Sequence, residues 1–170
     1  MQAINLRVFR KRVAENKSSL RRFLNRLASN PPRGLDRLAV ETDLEMWQQT
    51  DCLSCANCCK TMSPTYSRQD MLRIAAHLGM TVDAFKLKYL RKDRQGDWIN
   101  RVQPCQFLNL TDNKCSIYAV RPRDCAGFPH HTRKRMVDYV HVFKQNVEYC
   151  PATYRVVEMM QRKLEHKVRP

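Results

Sequence analysis

All eight cysteines of this 170-residue chain fall between positions 52 and 150, and four of them form one run, Cys52-x2-Cys55-x2-Cys58-Cys59. Two intervening residues allow a tight loop in which two thiolates reach one metal while backbone N–H groups donate to the sulfurs and stabilise the anionic form. One such pair is a weak signal. Three cysteines at successive x2 spacings are a stronger one, because a loop wraps three corners of a cubane iron–sulfur cluster in the same way. Cys58 and Cys59 are adjacent, and successive side chains leave a looped backbone in different directions. They are expected to face different environments: two metal sites sharing the loop, or one site and one thiol buried as a small hydrophobe. Cys105, Cys115, Cys125 and Cys150 complete the supply, enough for two four-sulfur sites, and all eight cysteines are candidate metal ligands. Cys150 has a second reading, a buried unligated thiol at the start of the last helix. No residue identifies itself as catalytic.

An even number of cysteines also invites disulfides. Against that, no eighteen apolar residues run together, and the N-terminus MQAINLRVFRKR places cations where a signal peptide needs an uncharged segment. The expectation is a cytoplasmic protein with no transmembrane segment, in a reducing compartment where clustered cysteines more often bind metal. Of the five histidines, His130 and His131 are near a cysteine and in a loop, so either could replace a sulfur. A satisfied core histidine is the commoner outcome, and His77, on a helix face beside Leu78, reads as packing. His141 and His166 carry no such signal.

The elements that must position these sulfurs are mainly helical. Ile4, Val8, Val13, Leu20, Phe23, Leu24 and Leu27 recur at helical spacing from Ile4 to about Ala28, with a break conceivable near Asn16 to Ser19, and Asn30-Pro31-Pro32-Arg33-Gly34 ends the segment. A second helix is predicted over Leu35 to Gln49, with Leu38, Leu44 and Trp47 inward. Ser67 with Asp70 three residues on approximates a capping box opening a helix over Arg68 to Leu78; Gly79 suits its end, and Thr81 caps a helix over Val82 to Leu90. This pair invites a helix-turn-helix reading with Lys86, Lys88, Arg91 and Lys92 on phosphates, but helix pairs serve mainly as packing units. Trp98 to Val102 and Gln106 to Leu110 are β-rich runs, the second followed by the polar turn Thr111-Asp112-Asn113-Lys114, so a small hairpin is expected. Met136 to Phe143 fits helix or strand equally, and Pro151 suits the first turn of a final helix over Ala152 to about Lys167.

The predicted fold is therefore mainly α with a small β-hairpin, an irregular, cysteine-rich, metal-stapled single domain. Residues 1–50 form a basic helical leader, 51–151 the cysteine-cluster metal-binding domain, and 152–170 a C-terminal helix packed on it. A mean hydropathy of −0.60 says that apolar supply is modest and that something besides a core holds the fold. The formal charge is +15, and residues 1–34 hold nine cations against one anion, a surplus of +8. Such a segment suits an anionic partner, whether nucleic acid or acidic protein.

From Cys52 to Pro151 the sequence resembles the bacterial cysteine-cluster proteins of the YkgJ type, a zinc- or iron-chelating domain. The resemblance rests on Cys52-x2-Cys55-x2-Cys58-Cys59, on Pro104-Cys105-x-Phe107-Leu108, and on Cys115-Ser-Ile117-Tyr118-x-x-Arg121-Pro122-x-x-Cys125-x-x-Phe128-Pro129. It implies a metal-chelating domain whose cysteines are the ligands, but no one reaction. A similar domain occurs in flagellin lysine methylases, which look like iron–sulfur proteins that use S-adenosylmethionine. Here none of the four glycines is in a G-x-G arrangement, so a Rossmann-type methyl-donor site is not supported. Arg121 is expected to donate to loop carbonyls or to Asp124, and Lys60 to be solvated surface.

Three functions follow. The first is a metal-binding accessory protein or module that holds an iron–sulfur cluster of the 4Fe-4S type, or zinc, and works with a protein partner. The second is a protein- or peptide-modifying enzyme, redox or methyl transfer, with an open coordination position. The third is a basic nucleic-acid or ribonucleoprotein-binding protein with a structural metal.

Overall fold

The computed structural model describes residues 4–168, with side chains through Glu165. In chain order the elements are α1 (Leu6–Ser29), α2 (Leu35–Gln49), α3 (Cys52–Cys55), α4 (Asn57–Thr61), α5 (Arg68–His77) and α6 (Val82–Tyr89). There follow β1 (Leu90–Lys92), β2 (Trp98–Asn100), a 3-10 turn (Tyr118–Val120), α7 (Arg123–Gly127), α8 (Met136–Asn146) and α9 (Pro151–Val168). The protein is mainly helical, with one two-stranded antiparallel sheet. The chain divides into two compact units, residues 1–55 with 129–170 and residues 56–128, and the boundary falls inside the cysteine run.

In the first unit α1 is unbroken through Asn16 to Ser19, which contain neither proline nor glycine. Asn5 caps it, its side-chain oxygen accepting from the N–H groups of Arg7 and Val8 at 3.0 and 3.2 Å. Phe9, Leu20, Phe23, Leu24 and Leu27 are its buried stripe, whereas Val8 is exposed. In α2 the inward face is Leu35, Leu38, Ala39, Thr42, Asp43 and Met46. Leu38 is inward as predicted, but Leu44 is exposed and Trp47 only half-buried. The helix turns Asp43 inward because His131 receives it: Nδ1 lies 2.6 Å from Asp43 Oδ1. Helices α1 and α2 both pack on α8 and α9. Phe9 meets Tyr154 edge to face at 5.9 Å, and Asp36 of α2 accepts the Met136 N–H at 2.8 Å, completing the start of α8. Arg12 pairs with Glu158, while Lys17 and Arg21 share Glu148. These partly exposed pairs contribute roughly 0–1 kcal/mol each.

In the second unit local chemistry is read almost directly from the sequence. Ser67 and Asp70 form the full capping box of α5, Gly79 follows that helix at φ 66, a conformation suited to glycine, and Thr81 Oγ1 accepts the Ala84 N–H to start α6. The core is Tyr66, Met71, Ile74, Ala75, Phe85, Leu90, Phe107 and Ile117. Phe85 lies at its centre, stacked on Phe107 and against Tyr66 and Tyr89. The hairpin differs from expectation. Trp98–Asn100 is a strand, but its partner is Leu90–Lys92, with Leu90 opposite Asn100. The run around Leu108 makes only a one-residue bridge to Cys115. The cations of the α6 region also serve their own unit: Lys86 and Lys92 lie over the Trp98 ring and Lys88 over Tyr89.

Asp70 does more than cap. Its carboxylate accepts from Arg73 at 2.6 Å, from Ser67, and from the backbone N–H of Arg123, 53 residues away, while Arg73 also donates to the Arg121 carbonyl. Burial disfavours the charged form, but these donors outweigh it and hold the carboxyl below its ordinary 3.8. A depressed carboxyl contributes stability above its unfolded pKa and loses it as pH falls through the folded value. Asp70→Asn should therefore be about 2 kcal/mol less stable than the wild type above about pH 5, with the gap closing in stronger acid. Thermal melts of both proteins from neutral pH downward measure it; a gap independent of pH contradicts this role.

Candidate metal centre

None of the eight cysteines forms a disulfide. The structure divides them between the units: Cys52, Cys55 and Cys150 in one, Cys58, Cys59, Cys105, Cys115 and Cys125 in the other. Cys52 is exposed, Cys55 and Cys150 are buried, and the remaining five are half-buried.

Within residues 56–128, four segments deliver thiols to one region. The left-handed turn at Ala56, φ 46, opens α4, which carries Cys58 and Cys59. The Cys105 N–H donates to the Cys59 carbonyl at 2.8 Å, tying the second segment to the first. The Leu108–Cys115 bridge and the Ser116 N–H to Phe107 carbonyl bond, 2.8 Å, bring in the third. Asp70 fixes the chain at Arg123, and the Thr65 N–H donates to Asp124 at 3.1 Å, so the two residues before Cys125 on α7 are both anchored. Arg121 donates to the Tyr118 carbonyl at 2.7 Å and covers the Tyr118 ring, the loop-carbonyl role predicted for it.

These sulfurs act on one another. Burial pushes up the thiols of Cys105, Cys115 and Cys125; the charge of Cys59 adds to all three, and Cys125 also sits in the fields of Cys105 and Cys115. Cys59 goes the other way, lowered to about 7, chiefly by a hydrogen bond from Cys58 and, against burial, by its own backbone N–H and Lys60. The Cys58 and Cys59 sulfurs are 3.9 Å apart, so the two neighbours diverge less than successive side chains on an extended chain would. Lys60, expected to be mere surface, contributes to this thiolate.

Among the described residues no three or more Cys, His, Asp or Glu side chains already stand close enough together to hold an ion. The donor chemistry nevertheless fits a thiophilic metal. Against the larger effect of burial, the nearby backbone N–H groups of Phe107 and Leu108 favour ionised Cys105, and that of Ile117 favours ionised Cys115. Asn100, 1% exposed, has a buried side-chain Nδ2 with no close acceptor, and its nearest effect is to favour ionised Cys105. Its Oδ1 is fixed by the Tyr66 hydroxyl at 2.7 Å and by Gln106 Nε2 at 3.1 Å. A thiolate at Cys105, as a metal would impose, gives that amide proton its acceptor. Tyr66 is pushed up by burial and then by the charges of Cys105, Cys125 and Cys115, so it stays a neutral donor.

Cys150 lies buried directly before α9 in the other unit, its backbone N–H donating to the Asn146 carbonyl at 2.7 Å. Burial pushes this thiol up, and Cys55 is near enough to add to the effect. His131 is no ligand here: it is buried, with Nδ1 on Asp43, Nε2 2.8 Å from Thr153 Oγ1, and its ring stacked on Phe143 at 5.2 Å. The side chain of His166 lies outside the described residues. Asn100, Tyr66, Thr153 and Asp43 had no motif to announce them; an aspartate on the apolar face of α2 was the one available signal.

The family model CxxCxxCC, described as "Putative zinc- or iron-chelating domain", matches residues 51–151. Uncharacterized protein MJ0661 of Methanocaldococcus jannaschii is 31% identical over 86 residues, which cover 49% of this chain and 46% of that protein. The chain thus spans about half the length of that curated relative. No solved structure matches.

Proposed function

The chain belongs to the CxxCxxCC family, and from that premise we propose that residues 56–128 hold an iron–sulfur cluster, with zinc as the competing occupant, on Cys59, Cys105, Cys115 and Cys125. The observation that carries this reading is the backbone pairing of the segments that bear the four thiols: Cys105 on Cys59, Leu108 on Cys115, and Thr65 on Asp124 beside Cys125. A cluster supplies reversible one-electron chemistry and zinc supplies a redox-inert staple. The residues around the sulfurs supply the rest. Phe107, Leu108, Ile117 and Asn100 favour the thiolates, and Lys60 offsets their charge. Cys105 and Cys115 pack against the apolar core of the unit.

The protein is read as an accessory module because the family it belongs to is described by chelation. Eight unbridged cysteines suit a reducing compartment, which supports a cytoplasmic location. No helix among the described residues is long and apolar enough to cross a membrane. The leader supports an anionic partner: Arg7, Arg10, Arg22, Arg26 and Arg33 are exposed and form no ion pair among the described residues.

Protein isolated without oxygen and analysed for iron, acid-labile sulfide and zinc, with a visible spectrum, tests the occupant. Iron with sulfide and broad visible absorbance is the expected result. Colourless protein with stoichiometric zinc replaces cluster by staple, and a metal-free protein that stays folded refutes the proposal.

A further inference from the structure

Helix α1 sorts its cations by side. Arg12 reaches Glu158, Lys17 and Arg21 share Glu148, and Lys11 lies 4.0 Å from Glu15, the one carboxylate on the helix. Arg7, Arg10, Arg22 and Arg26 are exposed and form no ion pair among the described residues. Arg22 and Arg26, one turn apart, line a single recess with Ser19 and Asn25, and no carboxylate among the described residues lines it. Like charges at that spacing destabilise a helix by about 0.2–0.5 kcal/mol, a cost that an anion from outside the chain would offset.

What this face lacks decides the kind of anion. The apolar stripe of α1, Phe9, Leu20, Phe23, Leu24 and Leu27, is already buried in its own unit, so the helix has no hydrocarbon face left to lie in a membrane. Val8, at 54%, is the one exposed large apolar side chain on the helix, whereas protein interfaces are built around buried aromatic and aliphatic anchors. Phe9 and Phe23 are both buried, which leaves no ring on which unpaired bases could stack. Contact with phosphates alone needs none of these. The four arginines extend about 28 Å along the helix and about 160° around it. B-form DNA offers a matching shape: a major groove about 12 Å wide, which admits an α-helix and has phosphates along both walls. The A-form groove of duplex RNA is deep and narrow. We propose that the outward face of α1 docks duplex DNA, with Arg7, Arg10, Arg22 and Arg26 on its phosphates. This rests on the reading of the leader as the seat of an anionic partner, and names that partner.

Fluorescence anisotropy of the full chain with a labelled random-sequence DNA duplex, over a series of salt concentrations, tests it. The logarithm of affinity should fall against the logarithm of salt with a slope of about −3 to −4, as four phosphate contacts require. Arg22→Gln with Arg26→Gln should make that slope shallower by about two and weaken binding about 10–100-fold at 0.1 M salt. Arg91→Gln with Arg94→Gln removes the same charge from exposed positions of the other unit and should leave binding nearly unchanged. Equal losses from the two double variants would mean that total charge alone attracts DNA, and would overturn the proposal. Duplex RNA or polyglutamate bound more tightly than DNA overturns the choice of DNA while leaving an anionic partner in place. A chain that binds none of the three overturns both.

Discussion

Cys125→Ser should strip the metal from residues 56–128 and leave that unit without stable tertiary structure. The expectation comes from the size of the unit's core. Eight buried residues, with eight partly buried hydrophobics packed on them, support 73 positions, and helices of ten and eight residues are too short to persist on propensity alone. Structural zinc contributes about 10–16 kcal/mol in small metal-dependent folds, more than a typical domain's whole stability. Cys125 is the informative position because burial, then the charges of Cys59 and Cys105, push its thiol far up. Without a metal it keeps its proton; with one, that proton leaves. Binding therefore releases protons, and affinity should climb steeply as pH rises through the neutral range and collapse in mild acid. Hydrogen exchange read by mass spectrometry, with and without a strong chelator, checks both statements. Amides of α5 and α6 should lose protection on chelation and in Cys125→Ser. Retained protection would mean that the apolar core suffices alone.

Asp43→Ala should destabilise the protein by about 3 kcal/mol in chemical denaturation. It removes the partner of an imidazole whose side chain is 2% exposed and whose other nitrogen lies 2.8 Å from Thr153 Oγ1. Asp43→Asn, which keeps a hydrogen-bond acceptor, should recover most of the loss. Lys17→Ala is the natural contrast, because its partner Glu148 retains Arg21 and the pair is partly solvated. Its cost should stay below about 1 kcal/mol. Equal costs for Asp43→Ala and Lys17→Ala would show that the buried pair adds nothing beyond surface electrostatics.

Where stop and start chemistry is local, the sequence is enough to place the elements. Asn30-Pro31, the Ser67 and Asp70 box, Gly79, Thr81 and Pro151 set the ends of α1, α5, α6 and α9 to within a residue or two. Long-range pairing is another matter. Leu90-Arg91-Lys92 has no alternating pattern, with only Leu90 buried, and becomes a strand because the Asp93 carboxylate gathers the N–H groups of Gln95 and Asp97 into a turn. Leu44 looked inward by periodicity, yet a partner 88 residues away rotated the helix to take Asp43 instead. The candidate site shows the same split. Cysteine spacing marks the sulfurs, but it says nothing of how they are shared out, and the division of one short run between two units follows from tertiary contacts alone. Asn100 is a strand residue with no motif, found only through an amide proton that lacks an acceptor.

An imidazole that commits both nitrogens to oxygen partners is withdrawn from the competition to bind cations. If the proposed site is built of sulfur alone, its selectivity follows: such sites discriminate sharply against magnesium, calcium and manganese, but they also prefer copper(I) to zinc or iron(II). Faithful loading of such a protein is then a matter of which metals its surroundings keep scarce, and exposure to excess copper is the insult to which it should be most sensitive.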